Sequence, residues 1–95
     1  MAADTVHITF KLFASLSAHL PEGARDHSAG LEVEAGATPN QVLDRHGVPR
    51  KMAHLVLLNG VFVPPAARDT VTLKAGDTLA VWPPVAGGSG GRAAS

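Results

Sequence analysis

At 95 residues, with eight basic side chains balanced by eight acidic ones, the chain has room for one small domain and carries no net charge. Such a balanced, scattered charge argues against nucleic acid or an anionic membrane as the main partner. The absence of cysteine excludes a disulfide framework, a thiolate metal site and a cysteine nucleophile.

Residues 5–13 alternate cleanly and predict a half-buried strand, with Val6, Ile8, Phe10 and Leu12 on one face and Thr5, His7, Thr9, Lys11 and Phe13 on the other. Residues 14–20 suit a short helical turn, with Leu16 and Leu20 on one side and Pro21 as its stop. Residues 22–30 are polar and contain glycine, which predicts a loop. Leu31 and Val33 alternate with Glu32 and Glu34, a second short strand that ends at Gly36.

Thr38-Pro39-Asn40-Gln41 has the chemistry of a helix start. Thr38 is placed to cap, Pro39 suits the first helical position, and Gln41 stands where a capping box wants Glu or Gln. Val42 and Leu43 then face a core, and Gly47 followed by Pro49 ends a helix of about two turns. A further weak turn is expected over residues 49–53.

Residues 54–58 form an apolar run broken by Asn59-Gly60, a strong two-residue hairpin signal. The run is far too short to cross a bilayer, and Met1-Ala2-Ala3-Asp4 does not open like a signal peptide, so a cytoplasmic protein is expected. Val61, Phe62 and Val63 return as an edge strand with both valines inward, ended by Pro64-Pro65. Residues 70–73 are expected to be extended, Ala75-Gly76-Asp77 to turn, and residues 78–82 to form the last strand with Leu79 and Val81 inward. The expected core is Val6, Ile8, Phe10, Val42, Leu43, Leu57, Leu79 and Val81. Phe13, Phe62 and Trp82 fall on the opposite phase of their strands, away from the helix, and an apolar patch there would mark a binding surface.

No catalytic constellation emerges. His7, His19, His27, His46 and His54 share no helical pair, so no metal site is expected. Ser15, Ser17 and Ser28 lack a nucleophile elbow, and no glycine loop continues into Lys-Ser or Lys-Thr. The chain reads as a substrate for other enzymes rather than as an enzyme.

The remaining feature is the ending. After Trp82, Pro83-Pro84 removes two backbone donors and takes the chain out of the sheet. Val85-Ala86-Gly87-Gly88 then offers almost no side chain, so a channel or a nucleotide can approach it closely. Pro83-Pro84-Val85-Ala86-Gly87-Gly88 resembles the C-terminal signature of the MoaD/ThiS sulfur carriers, most nearly the molybdopterin synthase small subunits. The resemblance runs from about Val6 to Gly88.

It implies an α+β, β-grasp (ubiquitin-like) fold: a mixed sheet packed on one main helix, with the first and last strands adjacent in its middle. Residues 1–86 would form the domain and residues 87–95 a flexible tail. It further implies that Gly88 is adenylated by a ubiquitin-activating-type (MoeB/ThiF-like) enzyme and converted to a thiocarboxylate. The carrier itself holds no cofactor, and ATP is used by the activating partner. Pro83, Pro84, Val85, Ala86 and Gly87 would be the stem that threads that enzyme. Phe13, Phe62 and Trp82 match positions that contact it and a MoaE-like large subunit.

The family's working form ends at the second glycine, whereas seven residues follow Gly88 here. Their removal by a processing protease is the expected route. The alternatives are that they are an appended segment, that Gly91 is the working terminus, or that the chain is a ubiquitin-like modifier or a binding module. Molybdopterin is the expected destination of the sulfur, with thiamine thiazole or another metabolite as the alternative.

Overall fold

The computed structural model describes residues 4–84. Five strands and one α-helix follow in the order β1 (Thr5–Leu12), β2 (Ser28–Glu34), α1 (Pro39–Arg45), β3 (Leu55–Leu58), β4 (Val61–Phe62) and β5 (Thr78–Trp82). Short 3₁₀ segments lie at Ala14–His19, Arg50–Met52 and Pro65–Ala67. The sheet order is β2-β1-β5-β3-β4, with β1 and β5 parallel in its middle and the other pairs antiparallel. This is the β-grasp arrangement.

Each local signal acts through an identifiable contact. At the start of α1, the Gln41 N–H donates to Thr38 Oγ1 (3.3 Å) and the Thr38 N–H donates to Gln41 Oε1 (3.0 Å), a complete capping box. At its end, Gly47 takes φ +74°. Its N–H reaches the Asp44 carbonyl (3.1 Å), while Val48 N–H reaches that of Leu43 (2.9 Å). Carbonyls of the last helical turn are thereby satisfied. Asn59 and Gly60 both have positive φ, 53° and 83°, and pair Leu58 with Val61 and Leu57 with Phe62. That is the turn whose twist matches a hairpin.

The core lies between the sheet and α1. Ile8, Phe10, Leu12, Leu43, Val56, Leu79 and Val81 are fully buried there, joined by Leu16 and Leu73 from the connecting segments. Val6 packs against this cluster, half-buried.

Four sequence expectations need correction. Leu57 is outside the core, and Val56 takes that place, because Leu57 pairs with Phe62 and must share its face. Val61 is 67% exposed, since β4 is two residues long and leaves its first residue at the hairpin tip. β2 begins at Ser28, inside the expected loop, because β1 is long enough to pair as far as Lys11 with Ser28. Residues 70–73 form no strand; the Leu73 N–H instead bonds the Ala37 carbonyl and its side chain fills the core.

Candidate functional site: an open apolar face at the root of the C-terminal segment

The register that buries Leu12, Val81 and Val56 fixes what stands on the other side of the sheet. Leu55 pairs with Trp82, Leu57 with both Ala80 and Phe62, and Lys11 with Ala80. Because strand side chains alternate, Trp82, Ala80, Leu55, Leu57 and Phe62 all lie on the face opposite α1. Phe13 continues the phase of β1 onto this face, held by its N–H bond to the Val81 carbonyl (3.1 Å).

Phe13 and Trp82 stack in near-parallel planes, with ring centroids 4.4 Å apart and 6° between them. His27 also stacks on Phe13, at 5.4 Å and 27°. Its backbone, like that of Asp26, has positive φ, which turns the loop so that the imidazole meets the ring. Phe62, 51% exposed, stands alone at the far edge. The result is an apolar strip running from the Phe13–Trp82 pair through Leu55 and Leu57 to Phe62. Leu55 and Leu57 are members of this strip that the sequence reading did not identify. The signal was present, because a two-residue hairpin that turns Phe62 outward also turns Leu57 outward.

β5 brings the chain out of the sheet at one end of this strip. Trp82 is half-buried beneath its stacking partner, and the His54 N–H bonds its carbonyl at 3.0 Å. Pro83 is half-buried and Pro84 exposed, so the stem begins beside the strip. Val85, Ala86, Gly87, Gly88 and Gly91, along with the domain boundary expected at residue 86, lie outside the described residues. The described residues contain no group of three or more His, Cys, Asp or Glu side chains placed to hold a metal. No helix among them is long and apolar enough to cross a membrane.

A β-grasp domain whose last central strand runs out beside an apolar face belongs structurally with the ubiquitin-like proteins. More narrowly, the chain belongs to the ThiS family, whose model matches residues 12–88. Among solved structures, the HVO 2177 protein of Haloferax volcanii is similar, at 26% identity, a TM-score of 0.67 and coverage of 87% of each chain. A Pyrococcus furiosus protein described as molybdopterin converting factor, subunit 1, is 21% identical with a TM-score of 0.56, over 84% of this chain and 99% of that one. The thiamine biosynthesis protein (ThiS) of Geobacter metallireducens is 16% identical with a TM-score of 0.54, over 83% and 97%. The last two identities speak for the fold alone. No curated protein matches the chain.

Proposed function

We propose that this protein is a sulfur carrier whose working end is the carboxylate of Gly88, exposed when residues 89–95 are removed by a protease. The observation that carries the reading is where the family match ends. The family match ends at residue 88, and the stem that leads there leaves the sheet beside an unpartnered apolar strip. A face and a tail at one end of a small domain suit a partner that grips the first while acting on the second.

The chemistry follows from what a carboxylate lacks. Its leaving group would be oxide, so it does not transfer its acyl group unaided. In the proposed reaction an oxygen of the Gly88 carboxylate attacks the α-phosphorus of ATP, and pyrophosphate leaves. A sulfide equivalent from a donor then attacks the carbonyl carbon of the acyl adenylate and expels AMP, leaving the thiocarboxylate. A MoeB/ThiF-like adenylating enzyme supplies the catalytic groups, and the carrier supplies the terminus, without a bound cofactor and in the cytoplasm. Residues 87–95 form the tail in this reading, and Pro83 to Gly87 the stem. Phe13, Phe62 and Trp82, with Leu55 and Leu57, form the docking strip.

The loaded terminus would next enter a MoaE-like large subunit and hand its sulfur to a pterin precursor. The Pro-Pro-Val-Ala-Gly-Gly ending supports that destination over thiamine thiazole. A chain ending at Gly88 keeps every residue of the sheet and helix. It should support ATP–pyrophosphate exchange with an adenylating enzyme, whereas the full chain should not. Trp82→Glu should weaken binding to that enzyme, because truncating an interface aromatic hot spot commonly costs about 2 kcal/mol or more of affinity. Equal binding by Trp82→Glu and the parent chain would exclude the strip as the docking surface. An isopeptide to a lysine of another protein would mark a modifier instead.

A further inference from the structure

Arg68 lies just behind the same end of the sheet and is only 5% exposed. Its Nε donates to the Val63 carbonyl (2.9 Å), Nη1 to that of Ala53 (2.7 Å) and Nη2 to that of His54 (3.3 Å). All of these acceptors are neutral. They satisfy N–H groups but leave the guanidinium charge without a counter-ion in a poorly hydrated place, a costly arrangement. Burial accordingly pulls the Arg68 pKa below its usual value, with no carboxylate to restore it. Among the described residues, the one ion pair joins Arg50 to Asp44 (2.7 Å).

Arg68 lines a cleft with Asn40, Arg50, Lys51, His54 and Asp69. The guanidinium has five N–H groups, so the bonds to carbonyls leave one hydrogen on each terminal nitrogen. Arg50 is neutralised by Asp44, and Asp69 is held by Asn40 Nδ2 at 2.9 Å. With histidines counted as neutral, the remaining charged groups of the lining, Lys51, Arg68 and Asp69, leave one positive charge in excess. A single carboxylate cancels that charge; a phosphate dianion overshoots it. Position indicates where the carboxylate comes from. The Ala53 and His54 carbonyls gripped by Arg68 belong to the segment whose N–H at His54 pins the Trp82 carbonyl. The cleft is thus one hydrogen bond away from the root of the C-terminal stem.

We propose that this cleft receives an Asp or Glu side chain of the protein that takes up the C-terminal segment, an ionic contact separate from the apolar strip. The assignment of the partner rests on the function proposed above; the affinity of the cleft for a carboxylate does not.

Two measurements test it. In the first, the full chain is titrated with sodium acetate against sodium chloride at constant ionic strength and followed by ¹⁵N NMR. Saturable shifts at the amides of Lys51, His54 and Asp69 and at the Arg68 Nε–H are expected, reduced in Lys51→Gln. Shifts that never saturate, or that appear equally at Lys74, overturn the proposal. Saturation of the same signals by inorganic phosphate at a tenth of the acetate concentration or less would overturn the assignment to a carboxylate. In the second, Lys51→Glu is compared with Lys74→Glu, an equal charge change in the segment that precedes β5, for binding to the adenylating enzyme. A loss of about tenfold for the first and less than about twofold for the second is expected for a charge at an interface. Equal effects would place the cleft outside the interface and overturn the proposal. Should a chain ending at Gly88 not bind that enzyme at all, the proposed function fails, and the acetate titration still decides whether the cleft binds a carboxylate.

Discussion

Phe10→Ala probes the packing on which every other placement depends. Phe10 is the largest fully buried side chain, set in the central strand β1 beside Leu79, with the His46 ring 5.3 Å from its own. Removing such a ring leaves a cavity that the surrounding strands cannot close, and costs about 3–5 kcal/mol. A domain of this length is stabilised by about 5–14 kcal/mol in total, so the variant loses about a fifth of its stability or more. With a urea dependence of about 1 kcal/mol per molar for so small a protein, the unfolding midpoint should fall by about 3 M or more. Where the parent midpoint is lower than that fall, the variant is unfolded in buffer. Phe62→Ala removes the same ring from the exposed edge and should cost about 1 kcal/mol or less. Equilibrium urea unfolding followed by far-UV circular dichroism reads both. Equal shifts for the two variants would refute the strand phase that separates the core from the open face.

Asn59→Ala should lower stability by about 2 kcal/mol in thermal unfolding, since it removes two contacts and asks alanine to hold positive φ. Those contacts are Asn59 Nδ2 donating to Asp77 Oδ1 (2.8 Å) and the Thr78 N–H donating to Asn59 Oδ1 (2.9 Å); an unchanged midpoint would show that they contribute nothing. His46 has its pKa lowered from 6.5 by burial and, secondarily, by Arg45. The unfolded chain therefore takes up that proton first, so the contribution to stability is complete above pH 6.5 and lost as the pH falls through the lower folded value. His46→Gln should flatten the stability–pH curve below pH 6.5, and an identical slope in that variant would exclude His46 as its source.

The helix and the hairpin were legible in the sequence because their signals are local and chemical. Thr38, Pro39 and Gln41 act within one turn, Gly47 closes the helix through its own φ, and Asn59-Gly60 sets the register of the residues beside it. Strand phase was legible where residues alternate, as in β1 and β5. It failed in Leu55–Leu58, where four apolar residues give no alternation and only the pairing partner decides which face each takes. The start of β2 was hidden because Ser28, Ala29 and Gly30 have weak strand character and are held by β1 rather than by their own preference. Of the candidate site, Phe13, Phe62 and Trp82 could be placed by phase. The stacking of His27 on Phe13 and the triple carbonyl grip of Arg68 could not, since both depend on segments distant in sequence meeting in space.

The central claim is that the protein's chemistry resides in one carboxylate at the end of its stem. Intact mass spectrometry tests it most directly, on a chain ending at Gly88 incubated with an adenylating enzyme, ATP and a sulfur donor. The account predicts a mass increase equal to the exchange of one oxygen for one sulfur, absent without ATP and absent from the full chain until residues 89–95 are removed. If a chain ending at Gly91 is converted and one ending at Gly88 is not, the working terminus is Gly91. If neither is converted, the chain does not carry sulfur.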